Sequence, residues 1–135
     1  MNDSISKKRS AQMALVKSKN TKPEMLVRRL VHRMGYRYRL HKSDLPGKPD
    51  LVFVSRKKII FVNGCFWHGH NCHLGRIPKS RIEFWTNKIT GNINRDNKNI
   101  EKLRTLGWSI LLLWECELKN REYLTHIVSD FLNDG

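Results

Sequence analysis

Residues 45–62, LPGKPDLVFVSRKKIIFV, decide the fold. Leu51 to Val54 and Ile59 to Val62 are two apolar runs rich in β-branched residues. Between them Ser55 to Lys58 is polar and basic, so the pair predicts two strands joined in a hairpin. Ahead of the first run, Pro46, Gly47 and Pro49 make Leu45 to Lys48 a loop, and Asp50 stands at the mouth of the strand.

Upstream, Thr21, Pro23 and Glu24 are a helix start. Thr21 can cap the first turn, and Glu24 three residues on completes a capping box. Leu26, Val27, Leu30, Val31 and Met34 follow at helical spacing, and Gly35 stops the helix. Tyr36 to Leu40 alternates and predicts a strand, with His41 to Lys48 as the loop after it. Downstream, Gly64 to Pro78 is irregular and holds most of the Cys and His. Phe84 to Ile89 and Ile93 to Leu106 predict two helices; Ile93, Ile100, Leu103 and Leu106 form the apolar stripe of the second, and Gly107 is its stop. Trp108 to Trp114 predicts a further buried strand. Leu124, Ile127, Val128, Phe131 and Leu132 mark a last helix. The order α-β-β-β-α-α-β-α implies an α/β fold, a mixed sheet flanked by helices. Residues 1–20 read as a mobile basic arm that orders on DNA, and residues 21–135 as one domain.

The 135 residues include 26 Lys and Arg against 12 Asp and Glu, a formal net charge of +14. So basic a chain repels itself unless a polyanion neutralises it, and nucleic acid and membrane surface are the two obvious polyanions. The longest apolar stretch, Ile110 to Trp114, is far too short to span a bilayer, and no broad amphipathic basic helix is evident. Met1 to Asn20 is polar and basic rather than a secretory signal. Three cysteines are an odd number, which argues against a disulfide framework and for a reducing, cytoplasmic setting in which thiolates are free to bind metal.

Cys65, His70 and Cys72 lie within eight positions of one loop, and Cys116, just past the last strand, can supply a fourth ligand. Zn²⁺ favours such thiolate and imidazole donors, and four protein ligands make a site structural rather than catalytic. His68 and His73 compete with His70 for the third place. The alternative is that the cysteines are small buried hydrophobes. The His-x-Glu and Pro-Cys-x-x-Cys pattern of zinc deaminases is absent.

Asp50 presents a carboxylate beside a hairpin, a common way to hold a hard cation; the alternative is a turn aspartate that bonds its own loop. His68 has the side-chain chemistry of a general acid or base. Phe66 and Trp67 are adjacent aromatics in a polar loop, and Trp85 follows a basic run with Arg76, Lys79 and Arg81. Such rings either wedge between bases or fill the space around the metal. Trp108 and Trp114 bound a strand and read as core.

At these residues the chain resembles the very-short-patch-repair (Vsr) endonucleases, bacterial T·G mismatch nickases. The resemblance runs from about Arg9 to about Leu124. It is carried by Arg9-Ser10 with Met13, Leu45-Pro46-Gly47-Lys48-Pro49-Asp50, Gly64-Cys65-Phe66-Trp67-His68, His70 and Cys72, Arg81 with Glu83-Phe84-Trp85, Arg95-Asp96, and Gly107-Trp108 with Trp114-Glu115-Cys116. It implies a restriction-endonuclease-like fold and a Mg²⁺-dependent nuclease acting on double-stranded DNA. By the resemblance Asp50 binds the catalytic Mg²⁺, helped by the backbone carbonyl of Val62. Glu24 sits near the water around that cation, and His68 activates the attacking water. Cys65, His70, Cys72 and Cys116 hold structural zinc, and Phe66, Trp67, Trp85 and Met13 intercalate beside the mismatch. This chain has Asn63 where the family can carry a histidine. The second acidic residue and the lysine of the broader nuclease superfamily are missing after Ile60, as in the Vsr branch. A monomer suffices for a single nick, and mismatch-repair proteins are candidate partners. Two other functions are compatible with the same residues: a related nuclease of a restriction or defence system, and a zinc-stabilised DNA-binding protein without catalysis.

Overall fold

Period-two alternation along the hairpin sends Leu51, Phe53, Ile60 and Val62 to one face of a sheet, and Val52, Ile59 and Phe61 to the other. The computed structural model, which describes residues 21–133, shows both faces covered. Its elements are α1 (Lys22–Arg33), β1 (Arg39–Leu40), β2 (Leu51–Phe53), β3 (Lys58–Asn63), α2 (Ile82–Thr105), β4 (Ser109–Trp114) and α3 (Arg121–Asn133), with short 3₁₀ turns at His73–Gly75 and Glu115–Glu117. The sheet order is β1-β2-β3-β4. β1 and β3 run antiparallel to β2, while β4 runs parallel to β3 with α2 as the crossover. The chain is thus mixed α/β.

Val27 and Val31 of α1, with Leu124, Val128 and Leu132 of α3, pack on Leu51, Phe53, Ile60, Val62 and Leu113. Leu103 of α2 and the adjoining Trp108 pack on Val52 and Ile59 of the opposite face, with Phe61 and Ile110 beside them. Full burial of each such side chain is worth about 1.5–3 kcal/mol, so these two faces dominate the stability. The basic turn has a structural duty as well. Arg56 Nη1 donates to the carbonyl of Leu132 at 2.9 Å, and the Lys58 ammonium donates to that of Phe131, satisfying carbonyls that the end of α3 leaves open.

Three sequence expectations are corrected. The two helices expected at Phe84–Ile89 and Ile93–Leu106 are one helix of 24 residues. Gly91 lies at the expected break, but an interior glycine costs only about 1 kcal/mol relative to alanine, and the apolar face continues through Ile89 and Ile93. The strand expected over Tyr36–Leu40 shrinks to Arg39–Leu40. Its alternation is real, since Tyr36 and Tyr38 both meet the Phe53 ring, at 6.5 and 6.2 Å between centroids, but ladder pairing begins only at Arg39. Trp114 does not belong to the core that encloses Trp108; it is half-buried and stacks on His70.

Candidate active site and metal centre

The register of β1 on β2 builds one cluster. Leu40 pairs with Leu51, so the next pair outward is His41 with Asp50, and the His41 N–H donates to the Asp50 carbonyl at 3.3 Å. On the other side of Asp50 lies β3, whose Val62 N–H donates to Asp50 Oδ2 at 2.7 Å. Glu24 reaches the same place from the first turn of α1. Thr21 Oγ1 caps that turn by accepting the Glu24 N–H at 3.3 Å, while the Glu24 carboxylate points to His41, whose Nε2 lies 2.7 Å from Oε2. Arg28 Nη1 is 3.5 Å from the same oxygen. Glu24 and Asp50 are 1% and 8% exposed, so two carboxylates share one buried space.

That arrangement has an electrostatic consequence. Burial pushes the Asp50 carboxyl up to about 7; the Val62 N–H opposes the rise, and the neighbouring Glu24 carboxylate adds to it. One ligand atom from each of Glu24, His41 and Asp50 lies within 4.8 Å of the others, a spacing that can hold a metal ion. A cation placed there would compensate both carboxylates, so the donor chemistry fits a hard divalent ion. Sequence reasoning missed His41, which it read as the first residue of a loop. The antiparallel register from the hairpin, extended one strand further, was the signal that finds it.

Two residues beyond the paired end of β3 lies Cys65, and two beyond the paired end of β4 lies Cys116, because Asn63 is in register with Trp114. The Cys116 N–H donates to Cys65 Sγ at 3.4 Å, and Cys116 Sγ is 3.4 Å from His70 Nδ1. With Cys72 these residues form a second cluster whose ligand atoms all fall within 4.8 Å. Neither His68 nor His73 belongs to it. Burial raises the thiols of Cys65, to about 12, and of Cys116. Burial also acts to raise Cys72, but hydrogen bonds with His70 and Cys65 bring it down to about 7. Three thiols and an imidazole facing one another suit a thiophilic cation in a closed four-ligand shell. The His70 ring is held by Trp114, stacked at 4.2 Å between centroids with planes 10° apart. The loop closes tightly here: a Cβ on Gly75 would lie 2.0 Å from the carbonyl oxygen of His70.

His68 stands outside both clusters. Its Nδ1 is hydrogen-bonded to Asp96 on α2, which leaves Nε2 as the other ring nitrogen. The helix face that presents Asp96 also carries Asn92, whose side chain donates to the Trp67 carbonyl at 2.9 Å, and Ile89 and Ile93, which crowd Gly69. Gly69 adopts a left-handed backbone, φ +64°, and a Cβ there would meet Ile93 at 2.6 Å. The spacing 89, 92, 93, 96 is one helical stripe, and it docks the 67–69 loop. Asp96 appears in the sequence only as part of Arg95-Asp96; its partnership required the unbroken helix.

Phe66, Trp67 and Trp85 form one half-buried cluster with edge-on contacts of 5.0 to 5.9 Å between centroids. They belong to neither buried core. Phe84, 45% exposed, extends the cluster, with the Arg81 guanidinium 4.4 Å from its ring centre. Met13 and the basic arm lie outside the described residues. Among the described residues no helix is long and apolar enough to cross a membrane.

A family model described as DNA mismatch endonuclease Vsr matches residues 2–74. The chain belongs to the Vsr family. That match covers Glu24, His41, Asp50, Cys65, His68, His70 and Cys72, while Trp85, Asp96 and Cys116 lie beyond it. A type II nicking enzyme of Xanthomonas oryzae, V.XorIIP, is 50% identical over 121 residues, 89% of each chain. A type II nicking enzyme of Neisseria meningitidis, V.NmeAIP, is 46% identical over 127 residues, 91% of each chain. The DNA mismatch endonuclease Vsr of Escherichia coli is 41% identical over 117 residues, 87% of this chain and 75% of that one. The enzyme class of this Vsr-family chain is therefore endonuclease.

Proposed function

We propose that this Vsr-family protein nicks one strand of duplex DNA beside the thymine of a T·G mismatch, by Mg²⁺-dependent phosphodiester hydrolysis, and so initiates short-patch repair in the bacterial cytoplasm. The observation that carries the reading is the pair of buried carboxylates, Glu24 and Asp50, held where β3 leads into the loop bearing His68. The name of the E. coli relative supports the mismatch substrate. The net charge of +14 suits a phosphate backbone. The implied architecture is restriction-endonuclease-like, with residues 21–135 as the nuclease domain and residues 1–20 as an arm on DNA, acting as a monomer.

When bound, Mg²⁺ would neutralise the scissile phosphate and the leaving 3′-oxygen. Asp50 and Glu24 would hold that ion, with the Val62 carbonyl assisting, and the Val62 N–H fixes the Asp50 carboxylate. His68 would take the proton of the attacking water at Nε2. Its Nδ1 bond to Asp96 fixes the tautomer and the orientation of the ring. Asn63 stands where the family can carry a further histidine, and His68 would carry the proton transfer without that second ring. Cys65, His70, Cys72 and Cys116 would bind structural Zn²⁺. Phe66, Trp67 and Trp85, with Met13, would insert beside the mismatch, where a weakly paired T·G step costs least to unstack.

A second reading is favoured by the two relatives named type II nicking enzymes: the same chemistry in a restriction or defence setting. One assay separates the two. Labelled duplexes with and without a T·G mismatch are incubated in Mg²⁺ or EDTA, beside an Asp50→Ala control. Mg²⁺-dependent nicking confined to the mismatch establishes the repair nickase. Equal cleavage of matched DNA assigns the restriction setting, and salt-sensitive binding without cleavage leaves a DNA-binding protein.

A further inference from the structure

Two buried carboxylates are not the whole of the first cluster. His41 is positioned by the same β1–β2 register that fixes Asp50, and its side chain is 19% exposed, with Nε2 turned toward Glu24. We propose that His41 is a direct ligand of the divalent cation held by Glu24 and Asp50, which gives the site one imidazole nitrogen beside carboxylate oxygens. This rests on the assignment of Glu24 and Asp50 as the cation site.

The geometry favours a ligand over a bystander. Two adjacent ligands of an octahedral ion at about 2.1 Å are about 3 Å apart, and ligands on opposite sides about 4.2 Å. His41 Nε2 and Glu24 Oε2 stand 2.7 Å apart, already near the spacing of adjacent ligands. The full set of three atoms falls within 4.8 Å, so a contraction of a few tenths of an ångström brings all three onto one ion. His41 needs only to exchange its contact with Glu24 for a lone-pair bond, with the ring proton on Nδ1. The backbone cannot carry it away, since its N–H is bonded to the Asp50 carbonyl.

The consequence is a metal preference. Oxygen-only sets suit Mg²⁺, whereas an imidazole nitrogen shifts the balance toward Mn²⁺ and later transition ions. The full-length zinc-loaded protein is titrated with Mn²⁺ and followed by electron paramagnetic resonance, with electron spin-echo modulation on protein carrying ¹⁵N-histidine. The variants are Asp50→Ala and His41→Gln; the glutamine can still donate to Glu24, which separates a hydrogen-bonding role from ligation.

The expected result is histidine-nitrogen modulation in the wild type. It disappears in His41→Gln, while Mn²⁺ still binds about tenfold more weakly and Mg²⁺ affinity changes less. Absence of that modulation in the wild type, or its survival in His41→Gln, overturns the ligand role of His41. Mn²⁺ binding that still depends on Asp50 would then leave the oxygen site standing. Mn²⁺ binding unchanged in Asp50→Ala overturns both.

Discussion

Asp50 Oδ2 accepts the backbone N–H of Val62 at 2.7 Å, so a carboxylate at the start of one strand is aimed by the main chain of the next. The bond supports the charged form, yet burial and Glu24 prevail and the carboxyl rises to about 7. In the cation-free protein Asp50 is therefore protonated below that value. Apparent Mg²⁺ affinity is expected to fall about tenfold per pH unit below 7 and to level off above it. Stability follows the same group. As pH rises from the ordinary carboxylate value of 3.8 toward 7, the unfolded chain ionises first and the cation-free fold loses stability. Thermal unfolding at pH 6 and pH 8, with and without Mg²⁺, checks both; Mg²⁺ should stabilise more at pH 8, and Asp50→Asn should remove the difference.

The contact between His68 and Asp96 predicts a second effect. Asp96→Asn keeps a hydrogen-bonding side chain beside the ring but removes the carboxylate. Its kcat should fall by about 10²-fold, and that of His68→Ala by about 10²–10⁴-fold, with DNA affinity nearly unchanged in both. Single-turnover nicking alongside equilibrium binding makes the distinction. Weakened binding equal to the loss of rate would assign the pair to DNA contact.

The zinc reading is tested by taking one donor from β4's end. Cys116→Ala leaves three ligands on the 65–72 loop and unties that loop from the sheet. Zinc released to a colorimetric chelator should rise, and the unfolding midpoint should drop by on the order of 10 °C. A midpoint insensitive both to the substitution and to chelators would mean the thiols are merely packed.

Gly75 offers a test of the same loop without replacing a ligand. Gly75→Ala forces a methyl group into the His70 carbonyl oxygen, 2.0 Å away in the present backbone. The main chain must shift, at a cost of about 3 kcal/mol, and zinc affinity should weaken with it. Denaturant unfolding with zinc content measured in parallel reads both quantities.

The aromatic cluster predicts a change in selectivity rather than in chemistry. Replacing Phe66 and Trp67 together by Ala should reduce the preference for T·G over matched duplex by about 5- to 150-fold, the equivalent of about 1–3 kcal/mol. Rates on the two duplexes, measured side by side, give the ratio directly. An unchanged ratio would return the rings to a packing role.

What could be read from the residues was whatever depends on short-range pattern. Alternation fixed the two faces of Leu51–Phe53 and Lys58–Asn63, and donor chemistry picked out Cys65, Cys72 and Cys116. What pattern did not reveal depends on contacts between distant segments. His41 gains its neighbour Asp50 through strand pairing nine residues away in sequence, in a stretch that looks like a turn. The single long α2 hides behind Gly91, whose cost is local while the packing of Ile89 and Ile93 against Gly69 is not. Trp114 is apolar enough for a core, and only the position of His70 shows why it stacks half-buried on that ring instead.

The parallel pairing of β3 with β4 also dictates an order of assembly. Three donors of the cysteine–histidine cluster are synthesised by residue 72, but the fourth follows only after the whole of α2 and β4. A nascent chain therefore cannot close that shell until residue 116 has left the ribosome and β4 has docked. Nor can it dock the 67–69 loop until α2 exists. A half-made copy of this basic protein would carry Asp50 but would still hold His68 without its partner Asp96, so the arrangement of side chains described above is complete only once the crossover has been made.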